Sequence, residues 1–109
     1  MSVSARAEPA EQLLRVGRAR LSYWASGAAP RALLWLHGGF DSKRTWLELW
    51  SSFEALGWSM VAVDLRGHGG STCDDRDYAV GAMARDVAAL VEALGLEGYN
   101  RSTPTARRT

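Results

Sequence analysis

Residues 33–46 read LLWLHGGFDSKRTW. An apolar run ends without transition in His37, two glycines and Phe40, and a helix-like pattern starts within a few residues. The run Ala32 to Leu36 is short, continuous and bounded, as in a strand buried on both faces of a parallel sheet. A turn this small and polar between strand and helix sits where such sheets bind ligands, beyond the carboxyl ends of their strands. Small residues there let the backbone pass close to a substrate. Their N–H groups can point into the site and hold an oxyanion.

The neighbouring segments fit that frame. From Lys43 to Leu56 the apolar residues Trp46, Leu49, Trp50, Phe53 and Leu56 recur at helical spacing. Asp41 or Ser42 is available as N-cap, and Gly57 is placed to end the helix. Met60 to Val63 is a second apolar run with β-branched members, closing at Asp64, and reads as another buried strand. Val80, Met83, Val87, Leu90, Val91 and Leu94 mark one face of a further helix, with Gly95 as its stop. Upstream, LLRVGRARLSYW (13–24) sets Leu14 and Val16 against Arg15, and Leu21 and Tyr23 against Arg20 and Ser22. A glycine separates the two runs, which predicts a β-hairpin with one polar face. Gly27 to Pro30 then punctuates. The fold class is α/β: a β-hairpin followed by strand, helix, strand, helix, the pattern of a parallel sheet.

Composition bounds the function. The 109 residues are enough for one modest domain, and 47% hydrophobic with 23% charged content is that of an ordinary globular protein. A net charge of +1 offers no footprint for nucleic acid. No segment approaches bilayer-spanning length, and the opening MSVSARAEPAEQ has no apolar core for a signal peptide, so a cytoplasmic protein is expected. Cys73 is the single cysteine, so no internal disulfide forms. With only His37 and His68 beside it, neither a metal cluster nor a cofactor is expected.

Taken together, the hairpin, the strand ending in LHGGF, the Trp46 helix, the strand ending in VDLRGHGGS and the helix from Val80 to Leu94 resemble the N-terminal portion of an α/β-hydrolase. HGGF followed at this distance by DLRGHGGS is the specific part of the likeness. It covers residues 13–98, with 1–12 as a lead and 99–109 as a polar tail. The resemblance implies a small-molecule substrate with an ester or related acyl bond. Epoxide, haloalkane and carbon–carbon bond hydrolases stay open. It also implies that the Gly39 N–H is one oxyanion donor, with Phe40 the next candidate and a wall of the acyl pocket. DLRGHGGS (64–71) would stabilise the sheet's upper edge and take no catalytic step.

The likeness stops before the nucleophile. A GxSxG elbow is due after the next strand, followed by the triad acid and histidine. Ser71 comes nearest, in GHGGSTC, but Gly69 precedes it by two and Cys73 follows by two. With no nucleophile, acid or base in place, turnover is not expected. After LGLEG the chain reads YNRSTPTARRT, which has no aliphatic run and cannot make a buried central strand. A frame shift or truncation near Gly98 is the expectation, ahead of a natural short protein with a polar tail.

The remaining features have plainer readings. Without an elbow, His37 is expected to be a turn residue bonding backbone, and His68 to be structural. Cys73 is a passive loop thiol. Asp74 to Asp77 (DDRD) is a solvated loop rather than a cation site. Trp46 and Trp50 pack in a core. A nucleotide-binding module would use Gly38, Gly39 and Asp64, but its GxGxxG fingerprint fails at Phe40 and Lys43. A non-catalytic interaction fragment is the other alternative, because an incomplete sheet exposes an edge open to self-association.

Overall fold

A computed structural model describes residues 8–27 and 32–96. Strand β1 (Gln12–Val16) and strand β2 (Ala19–Ser26) form the expected hairpin, joined through Gly17 at φ +58. Strand β3 (Leu33–Leu36) leads to the HGGF turn. A 3-10 turn (Lys43–Trp46) follows and runs into helix α1 (Leu47–Ala55). Strand β4 (Met60–Val63), a short strand β5 (Thr72–Cys73) and helix α2 (Val80–Ala93) complete the described chain. The sheet order is β1-β2-β4-β3. Strands β3 and β4 run parallel, and β2 is antiparallel to β1, β4 and β5. The sheet is therefore mixed, with the βαβ unit at one side and the hairpin at the other. Strand β5 has no counterpart in the sequence reading, being only two residues long. The expected lead and tail fall largely outside the described residues, as does most of Gly27 to Pro30.

Alternation along β4 divides the core. Val61 and Val63 face α2, where they pack with Leu21, Tyr23, Val87, Leu90 and Val91. Met60 and Ala62 face α1, packing with Trp24 and Trp50, and with the partly buried Trp35 and Phe53. Trp24 and Trp50 meet edge to face at 5.6 Å between ring centroids, an arrangement the aromatic quadrupole favours. Trp50 is thus a core residue, as its spacing implied, whereas Trp46, at the end of the 3-10 turn, is half-buried against Trp35.

Four burial details differ from the sequence expectation. The hairpin does not have one polar face along β2: Ser22 and Trp24 are as buried as Leu21 and Tyr23, because Lys43 of the 3-10 turn covers Ser22 and Trp50 of α1 covers Trp24. Strand β3 is only half-buried, since β4 is its sole partner among the described residues and its outer edge is open. From the 3-10 turn through α1, Trp46, Leu47, Trp50 and Phe53 meet the sheet, whereas Leu49 and the C-cap Leu56 are rotated to a flank and exposed, Leu56 by 75%. Val80, counted with the apolar face of α2, is 80% exposed at its first residue, while Asp86 lies buried on that face.

The helix ends follow local chemistry. The Ser42 side chain accepts the Arg44 N–H at 3.2 Å and caps the 3-10 turn, as its position suggested. Gly57 at φ +89 and Gly95 at φ +68 take the left-handed conformation just beyond α1 and α2. No helix among the described residues is long and apolar enough to cross a membrane.

Candidate functional site

The HGGF turn projects from the carboxyl end of β3, with Gly38, Gly39 and Phe40 exposed. Phe40 holds φ +60, a region side-chain-bearing residues seldom occupy. Its ring stands wholly in solvent. Among the described residues none accepts a hydrogen bond from the Gly39 or Phe40 N–H. Both expected oxyanion donors are therefore accessible and uncommitted, on a turn whose backbone is held in an uncommon conformation.

His37 anchors that turn. It is buried, its Nε2 accepts the Leu65 N–H at 3.0 Å, and its Nδ1 lies 2.6 Å from the Gly38 carbonyl. An N–H donor at Nε2 requires a lone pair there, so Nδ1 carries the proton and donates to Gly38. Both ring nitrogens are occupied, and His37 has no atom left to act as a base. It is the backbone-bonding turn residue its context implied. The His68 ring lies 5.0 Å from it, with Nδ1 donating to the Arg66 carbonyl at 3.0 Å.

Beneath the turn lies a charged core. Asp64, at the end of β4, has no solvent exposure. Its carboxylate accepts the Lys43 ammonium at 2.7 Å, the Lys43 backbone N–H at 2.7 Å and the Gly70 N–H at 2.9 Å. Lys43 also donates to Ser22 Oγ at 2.9 Å and lies over the Trp24 ring, 5.4 Å from its centroid. Ser22 in turn donates to Glu11, which sits 3.9 Å from the Lys43 ammonium. Ser71 bridges β2 and this loop: its hydroxyl donates to the Asp64 carbonyl and accepts the Ser22 N–H. A side chain at Gly69 would overlap the Asp64 carboxylate, and the residue is at φ +52, so only glycine closes this loop without strain. DLRGHGGS is thus a scaffold, and Ser71 is a structural hydroxyl. Asp64 has no free oxygen for a ribose, which removes the acidic partner that a nucleotide site needs.

Burial alone would push the Asp64 carboxyl up. The hydrogen bonds from Lys43, Gly70 and the Lys43 backbone outweigh it and hold the group below the ordinary carboxylate range. A depressed folded-state pKa contributes stability that is complete above the unfolded value and is lost as pH falls toward the folded one. The urea midpoint, followed by tryptophan fluorescence, is expected to stay level above about pH 5 and to fall below it. A midpoint unchanged down to pH 3 would contradict this assignment.

A second buried pair closes the loop onto α2. Arg66 donates to Asp86 through Nε at 2.7 Å and Nη2 at 3.0 Å, and through Nη1 to Asp75 and the Asp77 carbonyl, both at 2.8 Å. The hydrogen bonds Arg66 donates to Asp86 raise its pKa, so this cation is permanent. The DDRD stretch is exposed as expected, but Asp75 is an Arg66 acceptor and Asp74 pairs with Arg15 at 3.6 Å. Cys73 is half-buried and free. No group of metal-binding side chains occurs among the described residues.

Lys43, Arg66 and Asp86 are the residues that sequence reasoning missed. Lys43 falls at an expected helix start, and Asp86 directly precedes Val87 on the apolar stripe of α2, where charges are uncommon unless paired. That anomaly at Asp86 was the available signal.

Residues 31–100 match the family model described as alpha/beta hydrolase fold. Fluoroacetate dehalogenase from Burkholderia sp. is 33% identical over 107 residues, covering 89% of this chain and 34% of the dehalogenase. Protein phosphatase methylesterase 1 from Bos taurus is 34% identical over 80 residues, 72% of this chain and 21% of the methylesterase. Epoxide hydrolase A from Mycobacterium thermoresistibile superposes with a TM-score of 0.72 at 24% identity, over 85% of this chain and 30% of that one. The chain spans about a third or less of the length of these proteins.

Proposed function

The chain belongs to the α/β-hydrolase fold family, and from that premise we propose that its lineage cleaves an ester or related acyl bond of a small molecule, these 109 residues supplying only the oxyanion side of the site. The observation that carries this reading is the pair of exposed N–H groups at Gly39 and Phe40, just beyond β3, which have no acceptor among the described residues. They would meet the carbonyl oxygen as it gains charge, where preorganised donors lower the barrier most. Nothing in residues 1–109 forms a GxSxG elbow, and His37 has both nitrogens engaged. By this reading the chain alone does not turn over. The named relatives support a second reading, the opening of an epoxide or a carbon–halogen bond, for which the same turn would flank the reacting centre. The edge of β3, open among the described residues, supports the interaction reading beside both, by pairing with a second copy.

Purified protein tests these together. It is expected to hydrolyse neither 4-nitrophenyl acetate, styrene oxide nor fluoroacetate above a buffer blank. No serine should take label from a fluorophosphonate, and sedimentation should show species larger than the monomer. Stoichiometric serine labelling or turnover of any of the three substrates would overturn the inactive assignment. A monomer at high concentration would overturn the pairing.

A further inference from the structure

On the α2 side of the sheet, the hairpin turn, the Arg66 loop and α2 border an open pocket of about 280 Å3, its lining including the buried Arg66 and Asp86 and the exposed Arg18, Asp75 and Arg85. It includes no residue of the HGGF turn. The carboxylates are already committed, because Arg66 binds both Asp86 and Asp75. Arg18 and Arg85 are different. Neither guanidinium has a hydrogen-bond or ion-pair partner among the described residues, although Arg18 lies close enough to Asp75 to help hold its carboxyl low. Arg85 folds back along its own helix, its Nη1 standing 3.6 Å from the position a β-carbon would take at Gly81. The α2 N-terminus it approaches has no side-chain cap and no acidic residue in its first turn. With three arginines and two aspartates the pocket carries a net positive charge, and its two uncommitted cations sit on different elements.

We propose that this pocket is an anion site for a phosphate dianion, either inorganic phosphate or a small phosphomonoester. A single guanidinium fork satisfies a carboxylate, whereas two forks approaching from the hairpin and from α2 match the three or more acceptor oxygens of a tetrahedral phosphate. Arg66 is the floor. Its single charge offsets one of the two carboxylates it binds, and Arg18 with Arg85 leaves the lining net positive for the ligand.

Protection from phenylglyoxal, read residue by residue by peptide mass spectrometry on the full chain, tests the site whether or not the chain self-associates. Modification of Arg18 and Arg85 is expected to slow about fivefold or more in sodium phosphate relative to sodium chloride of equal ionic strength. The exposed Arg20 and Arg76 serve as internal references and should not change. Arg85→Gln should abolish the protection at Arg18, and Arg85→Lys should retain part of it. Methyl phosphate protecting as well as inorganic phosphate assigns the monoester, and inorganic phosphate protecting alone assigns the free ion. Equal protection at Arg20 and Arg76, reproduction by chloride, or full protection at Arg18 in Arg85→Gln would each overturn the proposal.

Discussion

Lys43→Ala is expected to abolish cooperative folding of this chain. The substitution removes a cation whose side chain is 2% exposed and leaves the Asp64 carboxylate without solvent or counter-charge. Breaking a buried ion pair from one side costs about 3–5 kcal/mol, and a whole domain commands only about 5–15 kcal/mol. The cost is compounded here because Lys43 also fills space against Trp24 and satisfies Ser22. Circular dichroism and urea unfolding decide it: loss of the unfolding transition, or a fall of at least about 3 kcal/mol, is expected. Lys43→Met combined with Asp64→Leu should recover a substantial part of that loss, since both charges then leave together. A Lys43→Ala protein within about 1 kcal/mol of the parent would show that the pair is dispensable.

Asp86→Ala should be nearly as damaging, by a separate route. Asp86 is the link between the loop after β4 and the helix that covers one face of the sheet. Its removal strips two hydrogen bonds from a guanidinium that is 5% exposed and that cannot shed its charge. A loss of about 3 kcal/mol or more is expected, together with faster proteolysis between Arg66 and Tyr78. Arg66→Lys should show much of the same loss, because an ammonium cannot span Asp86 through two parallel N–H groups while also reaching Asp75 and the Asp77 carbonyl. A melting temperature unchanged in Arg66→Lys would mean that charge alone, rather than the fork geometry, holds α2 in place.

Both predictions concern charges whose pairing lay outside what a linear reading could supply. His37 was legible as a turn residue because its neighbours are glycines and no elbow follows. Its use of Nε2 to receive the Leu65 N–H was not, since the partner lies 28 positions away. Leu49 and Leu56 satisfied the helical period as well as Trp46 and Phe53 did. Periodicity assigns a stripe but not its width, which depends on how much sheet lies beneath the helix.

By itself the sequence determined the order and kind of nearly every element. It also located the HGGF turn and established that no nucleophile elbow lies within these residues. Those features are local: apolar period, cap chemistry and glycine conformation act over a few residues and leave their signature in composition. Only the tertiary structure decided where charge is buried. Lys43 and Asp64 stand 21 residues apart and Arg66 and Asp86 stand 20 apart, and nothing local named either partner until the fold brought each pair within 3 Å. The burial of β3 was decided there too, because a strand's burial belongs to its neighbours, and among the described residues β3 has one.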